Sequence, residues 1–443
     1  MATNTEYGVG MSNSITIDQQ DLKVKPKVRC IQCGAEKNLW TTASSCECGG
    51  LLEIVWPLGE YEPSWLKDTW ASRMGSLLPI DRSGVWRFRE LVSPVDGEAI
   101  ITRGEGNTGL YNVPKLADWV GVDTLYLKHE GENPTGSFKD RGMTVGVSVA
   151  RYCGATIVAC ASTGNTSASL ASYAAIADMR CVVLLPAGKV SAAKLSQSIA
   201  YGAKTIAIRG DFDKALSLLQ STAPQLGLYI LNSVNPWRLE GQKTVMYELL
   251  ESLRWEVPDW IFLPGGNLGN TSAFGKALLE MRSLGLIDRL PRIGVVQAEG
   301  AAPFAHAYKS GWQSYSPVKA ETVATAIRIG DPVNYQKARR VVQELDGLVT
   351  SVSDREILDA KAMVDGAGVG CEPASAASVA GIRKLMSERI ISPDSKVVAV
   401  LTGHILKDPD ATFMYHTSDN RFSNKIIEVD ADPKSIISVV ESL

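Results

Sequence analysis

Asn133-Pro134-Thr135-Gly136-Ser137-Phe138-Lys139-Asp140-Arg141 is the stretch on which the fold of this chain turns. The run Thr124-Leu125-Tyr126-Leu127-Lys128 ahead of it reads as a strand. Asn-Pro and Thr-Gly are turn dipeptides, so a tight turn follows. Gly142-Met143-Thr144-Val145-Gly146-Val147-Ser148-Val149-Ala150 then reads as a helix rich in small residues. Lys139 thus stands near the start of a buried helix, where both the backbone dipole and burial disfavour an ammonium ion. A lysine so placed can lose its proton and act as a nucleophile or Schiff-base amine. The plainer reading is a solvated lysine on a helix end; three further motifs speak against it.

The first is Ala161-Ser162-Thr163-Gly164-Asn165-Thr166-Ser167, between a β-branched strand and a small-residue helix. Free amides and hydroxyls at a helix start suit a carboxylate or phosphate, although Ser, Thr and Asn are also ordinary caps. The second is Pro264-Gly265-Gly266-Asn267-Leu268-Gly269-Asn270-Thr271. Glycines let the backbone approach an anion closely, and successive amides donate to its oxygens. No Gly-Lys-Ser/Thr follows, and the glycine spacing is not that of the dinucleotide fingerprint, so a phosphate without a nucleotide is the better inference. The third is the strand Val397-Val398-Ala399-Val400-Leu401 ending in Thr402-Gly403-His404. A hydroxyl there can hydrogen-bond a ring nitrogen without strongly protonating it. A helix-start lysine, a glycine loop, a polar loop and a strand-end hydroxyl together make a site for pyridoxal phosphate, the cofactor serving as electron sink.

Around these motifs, strands are expected at 124–128, 156–160, 181–185, 204–208, 260–263, 293–297 and 396–401. Helices are expected at 139–152, 166–178, 191–201, 211–226, 239–254, 270–284, 335–347, 353–365 and 374–388. Such alternation predicts an α/β fold with mostly parallel sheets. Residues 1 to about 25 are polar and read as disordered, 57–98 as an irregular wrap rich in Trp, Pro and Arg, and those after 410 carry no functional signal.

The chain has 443 residues, 45% of them hydrophobic and 21% charged, with a net charge of −3 and no basic stripe. Two or three domains are expected, and nucleic acid is a poor candidate partner. No apolar run is long enough to cross a bilayer, and no basic-then-apolar leader opens the chain, so a cytoplasmic location is expected. Of the eight cysteines, Cys153, Cys160, Cys181 and Cys371 are scattered among apolar and small residues. The others form two close pairs, Cys30/Cys33 and Cys46/Cys48, each followed by glycine. This reads as a zinc ribbon whose four thiolates would hold a structural metal, against a vestigial knuckle or a redox-sensitive pair.

From residue 83 to 410 the chain resembles the threonine synthases, fold-type-II (tryptophan synthase β-like) pyridoxal-phosphate enzymes. The stretches that carry the resemblance are 83–90, 104–108, 128–142, 161–167, 232–244, 264–271 and 401–409, with Asn232 to Thr244 and Leu401 to Pro409 the most specific. It implies a two-domain fold of twisted, mostly parallel sheets flanked by helices, preceded by the cysteine ribbon. The expected division is 1–25, 26–56, a larger cofactor domain of 57–140 with 229–420, a smaller α/β domain of 141–228, and a tail of 421–443.

The implied reaction converts O-phospho-L-homoserine and water to L-threonine and phosphate. Lys139 would anchor the cofactor and act as acid and base, with Phe138 beside it. Asn165 would meet the ring hydroxyl, Gly265, Gly266, Asn267, Leu268, Gly269 and Asn270 the cofactor phosphate, and Thr402 the ring nitrogen. Ser162, Thr163 and Thr166 would bind the anionic ends of the substrate. Asn232, Arg238 and Asn267 would take its phosphate, a guanidinium being a planar fork for that group. The resemblance also implies a homodimer. The chain departs from many relatives in having Gly109 where they carry proline and Ile405 in a segment where they have glycine, which alters loop stiffness and leaves room for a shifted substrate. Competing readings are a threonine or serine dehydratase, a cysteate synthase, or a silent ligand-binding regulator on the same fold.

Overall fold

Strands buried on both faces read as continuous apolar runs, and this chain builds two parallel sheets from such runs. The computed structural model describes residues 25–188, 192–210 and 212–442, so nearly all of the polar N-terminal extension lies outside the described residues. The larger sheet has six strands in the order Leu348–Val352, Arg292–Ala298, Trp260–Pro264, Lys396–Leu401, Thr124–His129 and Leu110–Asn112. The first five run parallel and the edge strand Leu110–Asn112 runs antiparallel, pairing Tyr111 with Leu127. The smaller sheet is a parallel set of four: Lys204–Ile208, Arg180–Pro186, Ile157–Ala161 and Tyr229–Ile230.

All seven expected strands are present. A further core strand, Leu348–Val352, fills the gap between the helices expected at 335–347 and 353–365, a stretch for which no element is expected. The stretch 57–98 is also more regular than its composition suggests. It holds the helix Pro63–Arg73, whose proline sits at the first turn, where its missing N–H costs nothing, and which buries Leu66, Trp70 and Arg73. Beyond residue 410 the chain forms the helices Pro409–Thr417 and Pro433–Glu441.

One helix pair positions the lysine motif. Helix Lys139–Tyr152 lies against helix Pro236–Ser252. A Cβ at Gly241 would stand 1.8 Å from the Arg141 carbonyl oxygen, so only glycine permits this approach. Beside that contact is a buried ion cluster. Arg141 donates to both oxygens of Glu130 at 2.6 and 2.7 Å and to Glu248 at 2.9 Å, and Lys128 Nζ reaches Glu248 at 2.5 Å. Burial pushes the Glu248 carboxyl up, but the Arg141 and Lys128 cations outweigh it and hold the group well below the usual carboxylate range.

The N-terminal segment folds as a three-stranded antiparallel ribbon, Glu36–Lys37, Lys27–Cys30 and Leu52–Val55. Trp56, at its end, donates to Glu240 on helix Pro236–Ser252 at 2.7 Å, tying the ribbon to the cofactor-site scaffold.

Candidate active site

Parallel α/β sheets leave a crevice beyond the carboxyl ends of their strands. Here both sheets end at one cavity of about 1610 Å³. It is lined by residues that close their strands or open their helices: Ser162 and Asn165 on one side, Gly266 to Asn270 on another, Thr402 on a third, and Lys139 at the start of its helix.

Lys139 is part-buried on the cavity wall, with its amine 3.9 Å from the centre of the Phe138 ring. Burial pushes the amine down to about 7, the Arg238 cation adds to the effect, and Glu372 opposes it. The loop before it is held by its neighbour. Asp140 accepts from the Thr135 amide at 2.7 Å, from the Thr135 hydroxyl at 2.6 Å and from Ser169 at 2.5 Å.

The glycine loop enters helix Gly269–Ser283 through Leu268, a left-handed residue at φ 60°, and no side chain caps the helix. Its first amides have no intrahelical acceptors, and Gly266, Asn267, Leu268, Gly269 and Asn270 all line the cavity. Asn270 Oδ1 and Thr271 Oγ1 are buried with no hydrogen-bond partner. Helix Asn165–Ile176 is likewise uncapped by a side chain and opens on the same space, where Ser162, Thr163 and Thr166 also stand.

At the far side, Thr402 follows the strand Lys396–Leu401 and donates to Glu372 Oε1 at 3.3 Å. Asn165 Nδ2 donates to the other Glu372 oxygen at 3.1 Å. Glu372 thus joins two side chains expected to face the cofactor ring, and it is a site residue the sequence reading missed. It stands just before Pro373, at the entrance of helix Pro373–Ser387. No sequence signal marks it; in the fold Gly403 makes room for it, since a Cβ there would fall 2.5 Å from the Glu372 carboxyl carbon.

Three expected ligands sit otherwise than anticipated. Gly265 does not line the cavity; its amide donates to Val296 at 2.7 Å, within the sheet. Asn232 lines the cavity, but its carboxamide accepts from the Ala161 amide at 3.0 Å and donates to the Ala161 carbonyl at 2.9 Å, clamping the strand end. Arg238 lies fully buried behind the lining residues and donates to the Leu231 carbonyl at 3.1 Å. Its Nε and Nη2 have no partner, and burial pushes the guanidinium down to about 10. The cavity also carries cations that the sequence reading passed over: Lys319, Arg328 and Lys407.

Of the two departures noted above, Gly109 donates its amide to Glu132 at 2.6 Å, a bond proline could not make.

In the ribbon, the Sγ atoms of Cys30, Cys33, Cys46 and Cys48 lie within 4.8 Å of one another, with Cys30 to Cys48 at 3.5 Å and Cys33 to Cys46 at 3.8 Å. A tetrahedral zinc with Zn–S bonds of ~2.3 Å requires S···S separations of about 3.8 Å, so the four thiols fit it.

The cavity fits pyridoxal phosphate on its own chemistry. A weakly basic amine and two uncapped helix starts suit an aldehyde carried on a phosphorylated ring.

A family model described as pyridoxal-phosphate dependent enzyme matches residues 101–403. The threonine synthase of Methanocaldococcus jannaschii is 43% identical over 417 residues, covering 94% of this chain and 99% of its own. That of Methanosarcina acetivorans is 48% identical over 385 residues, covering 86% and 92%. Among solved structures, the threonine synthase of Escherichia coli superimposes with a TM-score of 0.67 at 18% identity, over 94% of this chain and 99% of that one.

Proposed function

From the premise that the chain belongs to the pyridoxal-phosphate dependent enzymes and, within them, to the threonine synthases, we infer how its residues share the work. It is a pyridoxal-phosphate-dependent lyase, and its reaction converts O-phospho-L-homoserine and water to L-threonine and phosphate. The observation that carries the residue assignment is the Lys139 amine, pushed down to about 7 inside a cavity that two uncapped helix starts share.

When bound, the cofactor supplies an electron-withdrawing ring that stores the electron pair left by a departing Cα proton. The chain does the rest. The amides of Gly266, Asn267, Leu268, Gly269 and Asn270 bind the cofactor phosphate. Gly265 supports that loop from the sheet. Phe138 packs beside the amine, Asn165 meets the ring hydroxyl and Thr402 the ring nitrogen. Lys139 Nζ, neutral for part of the time near pH 7, takes the proton from the substrate Cα and later returns it. Ser162, Thr163 and Thr166 hold the substrate's anionic ends. Asn232, Arg238 and Asn267 bind its phosphate, a contact that requires Arg238 to move out from behind the lining residues; its two unpartnered nitrogens support that role.

Cys30, Cys33, Cys46 and Cys48 hold a structural zinc in this reading. A count of free thiols before and after chelation checks it, an unchanged count speaking against the metal. The two sheets form the bodies of two domains, and because the strand Tyr229–Ile230 pairs with Ile157–Ala161 in the smaller sheet the expected boundary at 228 moves to about 230, giving 57–140 with 231–420 and 141–230. The assembly is a cytoplasmic homodimer, for which light scattering is the test. Among the described residues no helix is long and apolar enough to cross a membrane.

The deciding experiment is direct. Purified protein is expected to show a visible absorption band that borohydride removes, and to release phosphate from O-phospho-L-homoserine with threonine as product. Colourless protein that the cofactor does not restore, or a 2-oxo acid in place of threonine, overturns the reading.

A further inference from the structure

The hydroxyl of Thr402 sits in a chain of hydrogen bonds whose directions can be worked out. Ser375 Oγ accepts from the Thr402 amide at 2.8 Å and from the Gly403 amide at 3.0 Å. Its two lone pairs are then in use, so it must donate its own proton. The acceptors within reach are Thr402 Oγ1 at 3.0 Å and the Gly403 carbonyl at 3.5 Å, and the nearer one wins. Thr402 Oγ1 therefore receives a proton from Ser375 and has one of its own to place. It can place it on Glu372 Oε1, at 3.3 Å, or into the cavity.

Glu372 decides between these. As a carboxylate it is acceptor-only and takes the Thr402 proton, leaving a Thr402 lone pair toward the cavity. As a neutral acid it can donate to Thr402, whose proton then turns to the cavity. We propose that Glu372 is a positioning residue for the ring end of the site, its carboxyl setting whether the Thr402 hydroxyl accepts from or donates to the group that faces it. The proposal rests on the cofactor reading above and concerns only this chain's groups toward that ring.

Three observations support it. The carboxyl is buried and lines the cavity. It also accepts from Asn165 at 3.1 Å, so one group orients both side chains assigned to the ring. And Gly403 leaves room for it at the strand end, where a Cβ would collide at 2.5 Å. The charged groups that face it are Lys407, from the turn Ile405–Lys407, and Lys139, from its own helix. Both favour the carboxylate, whereas burial favours the neutral acid and prevails, pushing Glu372 up from the ordinary carboxylate range. The balance is thus one that a change of pH can tip.

The test uses the holoenzyme and reads the absorption spectrum of bound cofactor across pH 5 to 9 beside kcat and KM. In Glu372→Gln the carboxamide nitrogen donates to Thr402 at every pH, which locks one direction. The expected result is cofactor affinity within about threefold of wild type, a visible band that no longer changes with pH as the wild-type band does, and kcat lowered at least about tenfold with KM altered less than about threefold. Thr402→Val should give the same spectral change, and the double variant no further one. A Glu372→Gln band that titrates as wild type with kcat unchanged, or additive effects in the double variant, overturns the proposal. If Glu372→Gln does not fold, Glu372→Asp decides in its place: the shortened carboxylate should displace the titration, and a wild-type titration overturns the idea. Failure of the cofactor reading itself is distinguishable, because wild-type protein would then show no band at all.

Discussion

Two groups of buried cations lie within one helix of each other and are treated in opposite ways. Lys128 and Arg141 are matched by Glu248 and Glu130 through five contacts of 2.5 to 3.2 Å. Lys139 and Arg238 are not matched. Among the described residues, Lys139 Nζ has no ion pair and rests on the Phe138 ring, and Arg238 keeps two nitrogens without an acceptor. Burying a charge without a partner costs several kcal/mol, and a fold tolerates that where something else completes the pair. The first group is finished by the chain and holds helix Lys139–Tyr152 in place. The second is unfinished, and an aldehyde-bearing cofactor and a phosphorylated substrate are what would complete it.

The largest effect expected from this contrast is on Lys139. Lys139→Ala removes the anchor and the proton carrier together, so the visible band should vanish and threonine formation fall by at least about 10³-fold. The fold should survive, because the lost amine satisfied nothing in the chain. Near-UV circular dichroism of the variant checks this, and a collapsed spectrum would put Lys139 with the structural group.

Glu248→Gln attacks the finished group. It leaves Lys128 and Arg141 sharing Glu130, and breaking a buried pair in this way costs about 3–5 kcal/mol. A large fall in Tm is expected in protein stripped of cofactor. Arg238→Met is the counterpart in the unfinished group. It removes a buried cation that lacks a counter-ion and keeps only the Leu231 carbonyl as an acceptor, so the stripped protein should be about as stable as wild type, while kcat/KM for the phosphorylated substrate drops about 10- to 100-fold, the loss of one or two charge-assisted bonds. Were both variants to lose equal stability with activity per folded molecule intact, the distinction between the groups would be gone.

The sequence made the finished parts easier to read than the unfinished ones. Strands such as Trp260–Pro264 and Lys396–Leu401 are legible because apolar runs between glycine-rich turns have few other uses. Lys139 stood out for the same reason, a charge at the head of a small-residue helix. The glycine loop was legible as a phosphate cradle, but not that the first glycine would spend its amide on Val296. Nor could spacing along the chain show that Asn232 would bond Ala161, because that contact spans two strands brought together by the sheet. Glu372 was hidden for a related reason. It meets Asn165 and Thr402 across 207 and 30 residues of sequence, and no local pattern encodes such a meeting. Helix Pro63–Arg73 was obscured by its own proline, a breaker in mid-helix and a good residue at the start.

The smallest expected effect is also the most discriminating, because its sign differs between two substitutions. Attack on an aldehyde needs the unprotonated amine. With the Lys139 amine pushed down to about 7, capture of added cofactor by stripped protein should accelerate as pH rises through about 7, well below the ~10.4 of an ordinary lysine. Burial is the larger cause and the Arg238 cation the second, while the Glu372 carboxyl works against both. Arg238→Met removes a positive neighbour, so the amine holds its proton more firmly and the midpoint moves up. Glu372→Gln removes a negative neighbour, and the midpoint moves down. Each shift should be about one pH unit or less, since the pairwise effects are screened and burial remains. Stopped-flow capture rates between pH 5.5 and 9.5 resolve a change of that size. Shifts in the same direction for both variants would mean that the unfinished group does not act on Lys139 through charge, and that burial alone sets its basicity.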